Sequence, residues 1–287
     1  MSLQSHSLQA FMAVAETKTV HAAAGLLHLT QTAVTQRIRT LETRLKTTLF
    51  IRTRRGMMLT PEGEALLRYC FAAKELEGEA LAKIQGAGLE TAITMRITGA
   101  TSIMTSRIIP QCLPVMKKFP HLLMHFDVND LESRILTLKS GECQFAVIRE
   151  EDIVPEMAFK ALRPEKYVLV CTSAWKHRKL TDILTHERFI DYDPEDQMTF
   201  HYLKHFGLFE LAKHERYFVN RTDSLAKMLV DGIGYGVLTK EFSQKYLESK
   251  QLTILNKQQS YENKVVLAWY PRHEPPHYFR EIIDAIR

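Results

Sequence analysis

The sequence predicts an α+β chain in three parts. A small helical N-terminal domain is closed by a two-strand ribbon, one long helix follows, and a C-terminal half forms two α/β lobes. Three observations predict this. Apolar residues recur at three- and four-residue spacing in short runs over residues 8–45. Residues 49–60 read as two short strands about an Arg54-Arg55-Gly56 turn. From Ile93 onward, alternating strand patterns exchange with helical ones. The boundaries expected are 1–60, 61–88 and 89–287, with one lobe over 89–162 and 266–287 and the other over 163–265.

Composition narrows the class. A chain of 287 residues with 45% hydrophobic residues has room for more than one core. No apolar run is long enough to span a bilayer, and no basic-then-apolar leader follows Met1, so a cytoplasmic protein is expected. The four cysteines, Cys70, Cys112, Cys143 and Cys171, are scattered without a Cys-x-x-Cys. Neither a zinc site nor a disulfide framework is expected, and no cofactor. The net charge of +5 is modest, but Arg37, Arg39, Arg44, Lys46, Arg52, Arg54 and Arg55 fall in one short stretch. Alone, such a cluster is an ordinary solvated surface. On a helix followed by a ribbon, it is a phosphate-facing footprint.

The first two helices are expected from Leu8, Phe11 and Val14, and from Val20, Ala23, Ala24 and Leu27. His28-Leu29 makes the turn between helices, and Thr30 is suited to cap the third. That helix buries Val34, Ile38, Leu41 and Leu45 on one stripe. Its other face carries Thr32, Thr35, Gln36 and Arg39, with Gln31 at the edge and Arg37 beside it. A surface helix ordinarily wears Glu and Lys there. Gln pairs bidentately with adenine, Arg with guanine, and a Thr methyl meets the thymine methyl. Two helices, a third polar helix without acid on its reading face, and a basic ribbon form a winged helix-turn-helix, so double-stranded DNA is the expected partner. Arg52, Arg54 and Arg55 would lie over the backbone or the minor groove.

Pro61 sits at a helix first turn with Thr60 as its cap. Leu66, Tyr69, Ala73, Leu76, Ala80 and Ile84 continue at three- and four-residue steps until Gly86 and Gly88, a stripe suited to a second copy of the helix. Beyond it, strands over 93–97, 122–128 and 145–148 alternate with helices over 103–118 and 131–139, so a parallel sheet is expected. Further strands are expected over 167–171, 188–192, 217–220 and 236–239. The strand over 265–269 returns to the first lobe, and a helix over 278–286 closes the chain.

Ligands of such sheets sit beyond strand C-terminal ends. Thr101, Ser102, Asn129, Asp130, Arg149, Asp191, Asp193, Asp223 and Ser224 fall there. Thr101 and Ser102 open a helix, where backbone N–H groups suit a carboxylate. The acidic run over 191–196 suits a cation, or is a solvated loop. Together these candidates fit an amphoteric ligand such as a basic amino acid.

Other signals carry less. The run Gly232-Ile-Gly-Tyr-Gly236 follows a helix and opens a strand, the reverse of a dinucleotide loop. His201 and His205 are four apart, but Tyr202 stands where a metalloprotease has its Glu. No catalytic constellation is defensible from spacing, so no enzyme is expected. The competing class is a small-molecule-binding protein or enzyme with an appended helical domain.

The chain resembles the LysR-type transcriptional regulators. The residues that carry the resemblance are Leu8, Phe11, Val14, Glu16, Ala23, Ala24, Leu27, Gln31, Ala33, Val34, Ile38, Leu41, Glu42, Leu45, Leu49, Phe50, Arg52, Leu59, Thr60 and Gly63. It departs from the family at Lys46, where Gly is common, at Val20, where Phe is usual, and at Thr239, where Pro is common. The resemblance implies a dimerising linker helix, a C-terminal domain like periplasmic binding proteins, and a homodimer or homotetramer with room for a contact to RNA polymerase. In Thr30-Gln-x-Ala-Val-x-Gln-Arg-Ile, Val128-Asn-Asp130 and Val219-Asn220 it resembles the lysine/arginine-responsive branch, which implies lysine or arginine as effector.

Overall fold

A computed structural model of the chain describes residues 5–54, 56–84, 93–128, 134–272 and 274–287. Arg55, Gly86, Gly88, Asn129 and Asp130 lie outside the described residues. Two compact units are present, one over Met1–Met95, His121–Leu123 and Leu136–Gln144, the other over Arg96–Pro120, Met124–Ile135 and Phe145–Arg287.

The first unit opens with α1 (His6–Thr17), α2 (Val20–Leu26) and α3 (Gln31–Leu45). Each begins on a hydroxyl that accepts from an otherwise orphaned backbone N–H. Ser5 accepts from Leu8 at 3.4 Å, Thr19 from Ala22 at 3.1 Å, and Thr30 from Ala33 at 3.1 Å. Phe11, Val14, Ala23, Ala24, Val34, Ile38 and Leu41 meet in one core, and the small Ala23-Ala24 pair lets the helices close up. Leu45 was expected on the same stripe. It is exposed instead, because α3 ends there and Lys46 turns into the left-handed region at φ 53°. That is the position where the family commonly has Gly.

Strands β1 (Phe50–Thr53) and β2 (Gly56–Leu59) pair antiparallel, Phe50 opposite Leu59 and Thr53 opposite Gly56. The Phe50 ring packs 5.2 Å from that of Phe11 and fixes the ribbon to α1. Gly56 has φ +113°, and a Cβ there would stand 2.4 Å from the Lys18 carbonyl oxygen. Helix α4 (Pro61–Ile84) starts on Thr60, which accepts from Gly63 N at 3.0 Å and donates to Thr48 O at 2.7 Å. Leu67 and Cys70 turn inward, whereas Tyr69 and Leu76 are 60% and 63% exposed.

After residue 92 come β3 (Ile93–Gly99), α5 (Thr101–Ile103), a π-helical turn (Met104–Ile108), α6 (Ile109–Lys118), β4 (Leu122–Val128), α7 (Arg134–Ser140), β5 (Phe145–Arg149) and β6 (Ala158–Ala161). Then follow β7 (Glu165–Thr172), α8 (Leu180–His186), β8 (Phe189–Asp191), α9 (Met198–His205), β9 (Arg216–Phe218), α10 (Thr222–Val230), β10 (Tyr235–Thr239), α11 (Lys240–Glu248), β11 (Leu252–Ile254), β12 (Ser260–Asn263), β13 (Val265–Trp269) and α12 (His277–Ala285). One sheet has the order β4-β3-β5-β13-β6, the other β11-β7-β10-β8-β9 with β12 also on β7.

The parallel pairing expected of the opening strand-helix-strand run is present between β3 and β5, but each sheet as a whole is mixed. The pairs β3–β5, β10–β8 and β8–β9 are parallel, but β13 runs antiparallel to β5 and β6, and β7 antiparallel to β10. The reason is the two crossovers. The chain leaves the first sheet after β6 and re-enters it at β13, so the returning strand is not held to the parallel sense of a βαβ unit. Strand β7 puts Val168 and Val170 into one core and Leu169 and Cys171 into another. A strand segment covered on both faces reads as a continuous apolar run, here residues 168–171. Among the described residues no helix is long and apolar enough to cross a membrane.

Candidate functional site

On α3 the three buried side chains point to the core, and Thr32, Gln36 and Arg39 are exposed on the opposite face at i, i+4 and i+7. None of these three side chains has a hydrogen bond or ion pair to a described residue. The flanking candidates are engaged. Gln31 Nε2 lies 3.1 Å from His21 Nδ1, and the Thr35 hydroxyl donates to Gln31 O at 2.8 Å. Thr35 therefore keeps its methyl, and not a hydrogen-bond donor, for an outside partner. Arg37 is half-buried on the side of the helix.

Electrostatics concentrate the surface. Between Lys18 and Thr60 the only acid is Glu42. Its carboxylate accepts Leu49 N at 2.8 Å and stays with the backbone. Arg37, Arg39, Arg44, Arg52 and Arg54 have no ion pair to a described residue. Arg52 and Arg54 are exposed on the ribbon. Unpaired guanidiniums beside a polar helix face suit a polyanion with readable edges.

In the second unit the acidic run is largely answered from within. Asp191 is buried, bonded by the Thr199 hydroxyl and by Arg216 Nη1 at 3.1 Å. Burial, with Asp196 nearby, still pushes its carboxyl up to about 6. Asp193 accepts the Glu195 and Asp196 backbone N–H groups at 2.8 and 2.9 Å, and Asp196 accepts Met198 N at 2.9 Å. Arg149 pairs with Asp152 and Glu151 in its own turn, and exposed Asp223 lies 3.5 Å from Arg221. Thr101 stands half-buried at the start of α5. Ser102 is buried, and its hydroxyl donates to Glu165 Oε1 at 3.1 Å.

Glu165 was not among the sequence candidates. It is the first residue of β7, directly after the crossover, and it is 4% exposed. Its bonds are the Ser102 hydroxyl and a long one from the Tyr167 hydroxyl at 3.4 Å. Burial raises its pKa against the Ser102 bond and the charges of Arg107 and Arg134. Tyr167 is pushed well above its ordinary value by burial and then by Glu165, Tyr192 and Asp196, so these groups share one electrostatic neighbourhood. A Glu placed three residues ahead of the apolar run 168–171 was the sign available in the sequence. Beside it, buried Arg107 donates to Arg163 O at 2.5 Å, to Pro164 O at 3.2 Å and to Glu241 at 2.7 Å, holding the crossover in place.

Other signals resolve into packing. His201 and His205 are exposed on α9 with their rings 6.4 and 5.4 Å from that of Tyr261. All four cysteines are buried, and burial raises Cys70 to about 11 and Cys112 and Cys171 to about 12.

Comparison with known proteins decides the family. Residues 5–64 match the family model described as bacterial regulatory helix-turn-helix protein, lysR family, and residues 92–287 match the LysR substrate binding domain. The chain belongs to the LysR family. Its N-terminal part is similar to the HTH-type transcriptional regulator YofA of Bacillus velezensis, 45% identical over 86 residues. That match covers 30% of this LysR-family chain and spans only 30% of YofA. Among solved structures, ArgP from Mycobacterium tuberculosis superposes with a TM-score of 0.78 at 23% identity, covering 99% of this chain and 96% of that one. LysG from Corynebacterium glutamicum, solved with bound effector Arg, gives 0.75 at 17% identity, covering 98% and 95%. At these identities both likenesses show the fold alone.

Proposed function

We propose that this LysR-family chain is a cytoplasmic, sequence-specific DNA-binding transcriptional regulator, not an enzyme, controlled by a small-molecule effector. Residues 1–60 read DNA, 61–88 join two copies, and 89–287 sense the effector. The observation that carries the reading is the exposed Thr32, Gln36 and Arg39 face of α3 beside Arg52 and Arg54, none of them paired to a described residue. Arg55 and the flanking Gln31, Thr35 and Arg37 complete the proposed footprint.

Two classes of contact separate under mutation. Gln36→Ala relaxes sequence choice by about 1–3 kcal/mol while affinity for unrelated DNA holds. Arg54→Ala weakens all sequences alike and lowers the slope of log affinity against log salt by about one. Fluorescence anisotropy across a salt series reads both. A Gln36→Ala protein with unaltered preference would remove α3 from the groove.

The same α4 that buries Leu67 and Cys70 exposes Tyr69 and Leu76. A second α4 is the proposed cover, giving a homodimer, with a pair of dimers as the homotetramer of the family and RNA polymerase as a downstream contact. Leu76→Glu shifts sedimentation to the monomer at micromolar concentration and weakens DNA binding, because two half-sites no longer act together. An unchanged sedimentation coefficient would place the interface elsewhere.

The effector proposed is lysine or arginine. The bound arginine of LysG supports it. So do the acid groups gathered near Tyr167. The sequence candidates Thr101, Ser102, Asp130, Arg149, Asp191, Asp193 and Asp223 remain the proposed surroundings, although Asp191 and Arg149 already hold partners of their own.

A further inference from the structure

We propose that Glu165 is the residue that receives the positive charge of the effector's side chain, so that it selects for ligands carrying a side-chain ammonium or guanidinium. The inference rests on the effector reading above and adds the group that discriminates.

The argument starts from an imbalance. A carboxylate taken out of water costs several kcal/mol unless a cation and hydrogen bonds replace the solvent. Asp191 follows that rule, with Arg216 at 3.1 Å. Glu165 does not. It is equally buried, and among the described residues no Lys, Arg or His nitrogen stands within 4.0 Å of it. Arg107, whose charge Glu165 feels, turns its guanidinium to two carbonyls and to Glu241 instead. What Glu165 has is a neutral hydroxyl donor, Ser102, where an ammonium would donate far more strongly. A buried acid with its cation missing and its pKa displaced by burial marks a functional position.

Its place in the fold is the second half of the argument. Ser102 follows β3 of one sheet, and Glu165 opens β7 of the other. The Ser102–Glu165 bond joins elements of both sheets at the crossover, where relative movement of the lobes breaks it. Separation of the two uncovers the carboxylate, and closure buries whatever has taken the hydroxyl's place. A cation on Glu165 therefore has a different affinity for the two arrangements, the requirement for a ligand to shift them. Ser102 beside a carboxylate is also a poor host for an anion, so the first turn of α5 does not serve the effector's carboxylate through that hydroxyl.

The charged and titratable groups facing Glu165 are Arg107 on the π-helical turn, Arg134 on α7, Glu241 on α11 and Tyr167 on its own strand. The two arginines are permanently charged near neutrality. Of the two carboxylates, Glu241 is bonded to Arg107 and Glu165 to Ser102, and the Glu165→Gln protein, which keeps Glu241, separates the response of one from that of the other.

Calorimetric titration of the full chain with lysine, arginine and norleucine, whose side chain lacks the terminal amine, tests the proposal. The wild-type protein binds lysine at least about tenfold more tightly than norleucine. In Glu165→Gln, which keeps the shape and a Ser102 contact, the two ligands bind within about threefold of each other. On the unmutated protein, affinity for lysine falls from about pH 8 to about pH 5 while that for norleucine holds, because the cation competes with a proton. Lysine preference surviving in Glu165→Gln, or no pH dependence in the wild type, overturns the role of Glu165 and leaves the effector reading standing. A protein that binds a dicarboxylate and none of the three amino acids overturns both.

Discussion

Replacing Arg216 with methionine lowers the stability of the second unit by about 3–5 kcal/mol at neutral pH. The urea midpoint of tryptophan fluorescence reads the loss, since Trp175 packs against the same core as Phe189 and Tyr235. The magnitude follows from what the guanidinium covers. It bonds the 2%-exposed Asp191 at 3.1 Å, Asp196 O at 2.9 Å and Pro194 O at 2.8 Å, and lies over the Phe200 and Phe218 rings at 4.7 and 5.0 Å. Methionine keeps part of the packing and supplies no donor. Asp191 then loses its cation and keeps only the Thr199 bond, and the Asp196 and Pro194 carbonyls lose their donor, the costly case, whereas removal of both charges is far milder. The double change Arg216→Met with Asp191→Asn recovers most of the loss. A single variant within about 1 kcal/mol of wild type would show that the pair behaves like an exposed ion pair.

The pair also sets a pH dependence of unusual sign. The Asp191 carboxyl titrates at about 6 in the fold against an ordinary 3.8, because burial outweighs the Arg216 and Thr199 bonds. Between those values the folded chain holds a proton that the unfolded chain has released. This group's contribution to stability is full below pH 3.8 and declines as pH rises through about 6, by an amount on the order of 3 kcal/mol. The Arg216→Met deficit should accordingly shrink on acidification, since a protonated Asp191 no longer needs the cation.

That pair explains what the sequence could and could not say. The charges over 191–196 are visible as letters, and a pocket wall was one fair reading. Arg216 lies 25 residues further on, in β9, and nothing local announces that it returns to Asp191. Glu165 is the converse, the lone acid of a strand with an apolar centre, whose meaning depends on Ser102, 63 residues away. Helix caps and turns were legible. Thr30 and Thr60 cap the helices assigned to them, the ribbon pairs about Gly56, and Gly232 to Gly236 close α10 and open β10. Strand direction was not, because side-chain alternation is the same for a strand run either way. Among the DNA candidates, periodicity separated the wet face of α3 from the buried one but could not show that His21 meets Gln31 or that Thr35 turns back on its own helix.

Gly63→Ala is the second large effect, and helix propensity alone predicts its opposite. Alanine in a helix is favoured over glycine by about 1 kcal/mol. Here the first turn of α4 lies on the end of the recognition domain, and a Cβ at position 63 would stand 2.3 Å from the Leu49 carbonyl oxygen and 3.0 Å from Leu59 Cδ2. The oxygen is backbone, already accepting Thr60 N at 3.0 Å, and Leu49 is itself fixed by Glu42. It cannot swing aside as a side-chain tip would, so α4 or the ribbon must move. The expected cost is about 3 kcal/mol, at the upper end for overpacking, together with loss of DNA affinity because Arg52 and Arg54 travel with the ribbon. Gly25→Ala supplies the contrast, since nothing lies within 4 Å of its Cβ on α2 and the change should be neutral or stabilising. Both tryptophans, Trp175 and Trp269, belong to the other unit. In Gly63→Ala the tryptophan transition should therefore hold while calorimetry shows an earlier-melting component and anisotropy shows weakened DNA binding. Equal melting of Gly63→Ala and Gly25→Ala would mean that the junction between α4 and Leu49 yields at little cost, and that the ribbon is not held by it.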